Sequence, residues 1–320
     1  MRKIPAALAV LGLTTLALAG CSTPSASGAC PRPTAGSEVI DLITVKGALD
    51  AEPRVTAYTP LKASGLAFGD VVTGDGLAIA TPDQLAVLDI AIFSGETGES
   101  IIATPYDGDM SRVFPVAQWF QNFPGLEDAL QCATEGSRVA VAMGPGAITD
   151  EAVAGLGLAE GDTAIAVVDV RKVYLPAADG ADQFNSGLGL PAVVRAPDGR
   201  PGLVMPAGAA PDDIVIQTLK KGSGAVVTGD QPVRLHYTGV VWGEDEPFDS
   251  SWDSGAVSFE LDQVVPGFAQ AVEGQTVGSQ VLVVIPPELG YGDADQGRIP
   301  ANSTLVFVID ILGLDAPAAE

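Results

Sequence analysis

The sequence predicts an α+β protein of two tandem domains, each an antiparallel sheet carrying one short helix. Two observations point there. The chain repeats itself at long range, and its clearer copy reads as short β-branched strands, tight turns and a single helix. With 320 residues the chain is long enough for two domains of ordinary size.

The repeat is read by aligning Phe123-Pro124-Gly125-Leu126-Glu127-Asp128-Ala129 with Val265-Pro266-Gly267-Phe268-Ala269-Gln270-Ala271. The match runs on without a gap: Thr134, Gly136, Ser137, Val139, Val141 and Pro145 correspond to Thr276, Gly278, Ser279, Val281, Val283 and Pro287. Upstream, Thr81, Asp83, Gln84 and Leu88 match Thr228, Asp230, Gln231 and Leu235. Downstream, Thr163 to Ala166 matches Thr304 to Phe307. Domains are expected at 38–176 and 192–315, joined by a linker at 177–191 that is rich in Ala, Asp, Gly, Ser and Pro and has little periodicity.

In the second copy, Ile214 to Leu219 is β-branched and strand-like, and Lys221-Gly222-Ser223-Gly224 turns it. Val233 to Tyr237 alternates as a half-buried strand does. Gly267 to Glu273 is one short helix with Phe268, Ala271 and Val272 on a face. Gln280 to Ile285 and Thr304 to Leu312 are long apolar strands. The helix must cover one face of the sheet.

The first twenty residues read as a targeting segment: Arg2 and Lys3, a short apolar run from Ile4 to Leu16, then Leu18-Ala19-Gly20-Cys21. That last run matches a lipobox, whose cysteine receives a diacylglyceryl group. Two acyl chains hold a protein stably on a bilayer. Residues 1–20 are therefore a lipoprotein signal, Cys21 the lipidated residue, and the mature chain an extracytoplasmic protein anchored to a bacterial membrane. An ordinary secretory signal or a retained helix are the competing readings, though the apolar run is short for a span. Residues 21–37 read as a flexible tether rich in Ser, Pro, Ala, Thr and Gly. Export permits disulfides. With Cys21 lipidated, Cys30 and Cys132 have one possible partner each, and a bridge between them is expected, with two unrelated thiols as the competing reading. Neither lies in a CxxC or beside a His, which argues against redox catalysis and zinc.

The charge balance is 40 acidic to 16 basic side chains, net −24. Phosphate binding needs clustered Lys and Arg, so nucleic acid is not an expected partner. The single histidine, His236, lies mid-strand and is a poor base for a hydrolase. Asp293-Ala294-Asp295-Gln296-Gly297 lacks the further ligands of a calcium loop, and Gly74-Asp75-Gly76 and Gly222-Ser223-Gly224 are turns, not phosphate cradles. No cofactor or metal is expected.

The most specific stretch is Val233-Arg-Leu-His-Tyr-Thr-Gly-Val-Val-Trp-Gly-Glu-Asp-Glu-Pro-Phe248, followed by Asp249-Ser250-Ser251. Val257-Ser258-Phe259, Val264-Val265-Pro266-Gly267-Phe268, Tyr291-Gly292, Ile299-Pro300 and Thr304 to Phe307 come after it in order. This ordered set resembles FK506-binding-protein (FKBP) type prolyl isomerases over about 192–314. From spacing alone, aromatics on strands are most often core, and Asp249 alone would be a turn residue.

The resemblance implies a curled sheet wrapped on its helix, and an enzyme that speeds cis/trans exchange at X-Pro bonds in unfolded or extended polypeptides. It implies a pocket lined by Tyr237, Phe248, Val264, Val265, Phe268 and Phe307, with Phe259 at its base. The Val265 N–H would serve a ligand carbonyl, the Tyr291 hydroxyl would stand at the rim, Asp249 would bond within the pocket to Tyr237, and Ile299 would sit on a flap above. Macrolides are implied ligands, but Phe268 replaces the Trp common in the family, and Gly297-Arg298 replaces an apolar flap residue. The first copy has lost these groups: Ile90 stands for Tyr237, Leu126 for Phe268 and Ala166 for Phe307. A module that only binds clients through such domains is the competing reading.

Overall fold

The computed structural model describes residues 30–33 and 35–316. Two antiparallel sheets share one strand order. In the first the order is Leu66–Val72, Arg138–Met143, Ala164–Val173, Leu85–Ser94 and Ser100–Ala103; in the second it is Val215–Lys221, Gln280–Ile285, Leu305–Leu314, Val233–Val241 and Pro247–Ser250. A further short strand lies along the start of the fourth in each, Phe114–Pro115 and Val257–Phe259. The register agrees with the sequence repeat. Ala166 lies between Val141 and Ile92, as Phe307 lies between Val283 and Gly239. Even a local polar knot recurs. Thr134 donates to the Gly74 carbonyl while Ser137 accepts the Gly74 N–H; Thr276 and Ser279 do the same at Gly222.

Each sheet is covered on both faces. Helices Gly125–Leu130 and Pro266–Val272 pack on one face and form the larger cores with Leu126, Leu130 and Val141, and with Phe268, Val272 and Val283. On the opposite faces lie two hairpins that the sequence reading did not distinguish. Ile43–Lys46 with Arg54–Ala57 covers Ala91, Phe93, Ile165 and Val167. Ala192–Arg195 with Pro201–Val204 covers Leu282, Val284, Val306 and Val308. This explains the unbroken apolar runs: Gln280–Ile285 is buried at every position because neither face meets water. A buried carboxylate ties each cover down. Arg138 bonds Asp169 at 2.5 Å and donates to the Gly47 and Ala48 carbonyls in the first hairpin. In the second, Gln280 donates to Asp310 at 2.7 Å and accepts from Arg195 at 2.7 Å.

The expected linker 177–191 is not a free spacer. Ala178 donates to Asp310, Gly180 to the Gly278 carbonyl, and Ala181–Asp182 pairs with Lys220 and Lys221 at the edge of the second sheet. Just before it, buried Tyr174 packs on Gly313 under the Arg234 guanidinium, and Leu175 donates to Leu312. Polar backbone so close to a sheet finds its partners there rather than in water.

The tether also ends sooner than its composition suggests. Cys30 is bonded to Cys132 with Cα atoms 5.4 Å apart, Arg32 bridges Asp70 and the Gln131 carbonyl, and Ala35 pairs with Phe68. Cys21 lies outside the described residues. Cys132 has φ of 59° and its counterpart Gly274 has 77°, the left-handed residue that ends each helix. A cysteine there carries a steric cost that glycine avoids.

The bridge closes a separation of 102 residues. Cys132→Ser should lower stability by up to about 5 kcal/mol on the chain-entropy account. Cys132→Gly should lose about 1 kcal/mol less, since it relieves the left-handed strain. Urea unfolding of both variants checks this, and equal losses would remove strain from the account.

Candidate active site

The site lies on the face of the second sheet that helix Pro266–Val272 covers. Tyr237 and Phe307 come from paired neighbouring strands, Phe248 and Asp249 from the edge strand Pro247–Ser250, Phe259 from Val257–Phe259, and Phe268 from the helix. Phe268 and Phe307 meet edge to face at 5.3 Å between ring centres, and Phe248 meets Phe307 in the same way at 5.6 Å. Tyr237 stands 5.9 Å from Phe259, 6.2 Å from Phe307 and 6.3 Å from Phe268. Edge-to-face contacts set positive ring edges on negative faces, which fixes the rings as well as burying them.

Within this cage the Tyr237 hydroxyl donates to Asp249 Oδ2. Burial first, and then the bond to Asp249, push the phenol above its ordinary range, so it stays protonated and a donor. Val264 and Val265 are half-buried beside the cage, Val265 at the N-cap of the helix. The N–H groups of a first turn lack intrahelical partners. Ile299 is buried in the same core. Tyr291 is 40% exposed and near enough to Tyr237 to add the smallest of the upward pushes on its phenol. Eight of the ten residues taken from the resemblance pack in this one cluster, and Asp249 joins it through Tyr237.

Three further residues belong to the site. Gly239 faces both Phe248 and Phe307; a Cβ there would lie 2.6 Å from each ring. A glycine inside a strand pattern signals such a close approach. Arg298 donates to the Pro247 carbonyl at 2.8 Å and pins the flap to the strand that bears Phe248 and Asp249. Ser251 accepts the Tyr237 N–H at 2.9 Å and bonds His236 Nδ1 at 2.9 Å. Nothing in the spacing of a serine or an arginine alone marks those two roles.

A family described as FKBP-type peptidyl-prolyl cis-trans isomerase matches residues 223–312. The chain is 39% identical over 114 residues to a probable FK506-binding protein of Corynebacterium glutamicum, covering 35% of this chain and 97% of that one. It is 38% identical over 120 residues to an FK506-binding protein of Streptomyces anulatus, covering 36% and 97%. The crystal structure of FkpA from Escherichia coli aligns with 42% of this chain and 54% of its own at 30% identity and a TM-score of 0.32, and the fold assignment rests on the strand order above. The chain belongs to the FKBP-type peptidyl-prolyl cis-trans isomerases and is an enzyme of that class.

His236 is half-buried, stacked on Trp252 with ring centres 4.3 Å apart, and its pKa is pushed down to about 4, first by burial and then by Arg200. Between pH 6.5 and 4 the unfolded chain takes up a proton that the folded His236 refuses. Stability is therefore lost as pH falls through that window. His236→Gln should remove this slope, so the variant gains on the natural protein between pH 7 and 4 in urea unfolding. Parallel curves would dismiss the assignment.

Asp249→Leu removes the acceptor of Tyr237 and should cut kcat/KM at least about tenfold, the worth of a hydrogen bond to a charged group at ~1.5–3 kcal/mol. Tyr291→Phe, at an exposed side chain, should cost about twofold to tenfold, the worth of one ordinary hydrogen bond. A prolyl-peptide assay with circular dichroism as the fold control tests both. Natural turnover in Asp249→Leu would remove that residue from the site.

Proposed function

We propose that the second domain isomerises prolyl bonds in exported polypeptides, and that a lipid on Cys21 holds the enzyme at the outer face of the cell membrane. The observation that supports the site most directly is the Tyr237–Asp249 hydrogen bond inside the aromatic cage. An X-Pro bond turns slowly because resonance gives its C–N bond double-bond character, a barrier of about 18–20 kcal/mol. That resonance separates charge, so an apolar site weakens it relative to water, and fixed dipoles then favour the twisted form. Phe268, Phe307, Phe248 and Phe259 would grip the proline ring, Ile299 would close over it, and the Val265 N–H and Tyr291 hydroxyl would hold flanking carbonyls. No nucleophile is needed.

Two relatives are named for binding FK506, and by that likeness a macrolide would enter the same cage. Phe268 offers such a ligand less ring area than Trp would. The Leu-Ala-Gly-Cys run after a short apolar stretch supports the anchor, and the disulfide suits an oxidising compartment. Among the described residues no helix is long and apolar enough to cross a membrane.

A fragment that starts at Tyr174, keeping its contact with Gly313, should retain prolyl isomerase activity, and one that ends at Val173 should show none. Equal activity in the two would defeat the assignment to the second domain. Cys21→Ser should shift the protein out of the membrane fraction, and unchanged detergent partitioning would reject the lipid anchor.

A further inference from the structure

The first domain keeps a pocket in the place of the catalytic one, and its lining differs in kind. Ile92 pairs with Ile102, as Gly239 pairs with Asp249. Ile90 then stands where Tyr237 stands, so a phenol and a carboxylate have become two isoleucines. A cavity of about 200 Å³ opens there, bordered by Ile90, Ile92, Ile102, Trp119, Phe123 and Leu156. Thr104 also borders it, but its hydroxyl is committed, donating to Asp89 at 2.9 Å and accepting the Ile90 N–H at 3.1 Å.

Ile102 is 56% exposed at the mouth of this cavity. Its side chain carries the apolar lining out to the surface, where a partner's side chain can enter. Asp107 and Asp109 on the segment after Thr104 are exposed, whereas Asp150, on the helix before Leu156, borders a second hollow with Val153 and Leu158. Arg112 pairs with Asp107 and Asp109, so the segment that follows Thr104 keeps one negative charge in excess.

We propose that the first-domain pocket holds one aliphatic side chain of an extended polypeptide flanked by Lys or Arg. That polypeptide is the client whose prolyl bond the second domain turns over, so the inference rests on the isomerase reading above. The cavity lies below the roughly 300–1,000 Å³ typical of sites for drug-sized ligands, which fits a side chain better than a macrolide. With residues 1–20 removed as the lipoprotein reading above has it, segments 22–29 and 317–320 of the chain offer it no Leu, Ile, Val, Met or Phe. A second weak contact on the same chain raises the effective concentration of a long client at the catalytic cage and does nothing for a short peptide.

The test uses the full chain with Ile102→Asp and, as a milder change, Ile102→Ser; both alter an exposed side chain and should leave folding intact. Turnover of a tetrapeptide with one prolyl bond should stay unchanged. The kcat/KM for proline-limited refolding of an unfolded protein should fall at least about fivefold, from loss of the second contact. Titration with the proline-free peptide Lys-Leu-Lys-Leu-Lys should change Trp119 fluorescence in the natural protein and not in Ile102→Asp. A peptide with Glu in place of Lys should bind more weakly. Unchanged refolding efficiency together with unchanged peptide binding would overturn the proposal, as would equal binding of the Glu peptide. A shift in sedimentation caused by Ile102→Asp would assign the pocket to a second copy of the chain, and so overturn it too. Absence of tetrapeptide turnover in the natural protein would instead strike the isomerase reading.

Discussion

The catalytic half depends on how closely one short helix approaches its sheet. Gly267 lies directly over Ile285, where a Cβ would come within 2.4 Å of the Ile285 side chain. Any larger residue would lift the helix by a fraction of its own diameter and carry Phe268 with it. Phe268 touches Phe307, Phe259 and Tyr237, so the whole cage inherits that displacement. Interiors are packed like crystals and do not absorb such shifts quietly. Pro266 at the helix start fixes the entry, because its ring presets the helical φ.

The two copies share that frame and divide its uses. The cage rings are core residues first: Phe268 and Phe307 are almost wholly buried. Leu126 and Ala166 can therefore replace them with less volume and the same polarity, and a core tolerates such exchanges when its pattern survives. Function is less forgiving, because it needs the polar pair. Ile90 and Ile102 cannot donate or accept, so the first pocket retains shape without a dipole. The hydrogen bonds that both copies retain, Thr134 and Ser137 at Gly74 and Thr276 and Ser279 at Gly222, belong to the frame and lie apart from the cage.

Much of this was legible in the sequence, for reasons that also explain what was not. Helix Pro266–Val272 and strands Val233–Val241, Gln280–Ile285 and Leu305–Leu314 show themselves through apolar pattern, because burial sets it. The cage residues show themselves only as an ordered set, since each alone is an ordinary core aromatic. The two covering hairpins were missed because an unbroken apolar run says that both faces are buried but not by what. Residues 177–191 and 30–37 look like spacers by composition. Their attachment comes from backbone groups of Ala178 and Gly180, from Arg32 and from the Cys30–Cys132 bond, and none of these leaves a periodic trace. Arg298 shows the same limit from the other side. As a letter it is a departure from an apolar flap, and in space it is the tie that holds the flap to Pro247.

Rotation about an amide asks unusual things of a site. The reacting bond is neither broken nor made, so rate comes from excluding water and from a few dipoles held still. Each edge-to-face ring pair is worth about 0.5–1.5 kcal/mol beyond burial, and several such pairs here are linked through Phe268 and Phe307. The rings cannot be reoriented singly, and the Tyr237 hydroxyl is aimed by a carboxylate on the neighbouring strand. Such a catalyst can be switched off without being dismantled. Two exchanges on paired strands, a phenol for one isoleucine and a carboxylate for another, leave the sheet, the helix and the hollow in place. What remains in the first copy is an apolar hollow without the polar pair, on one chain in which Tyr174, at the end of the first sheet, packs on Gly313 of the second.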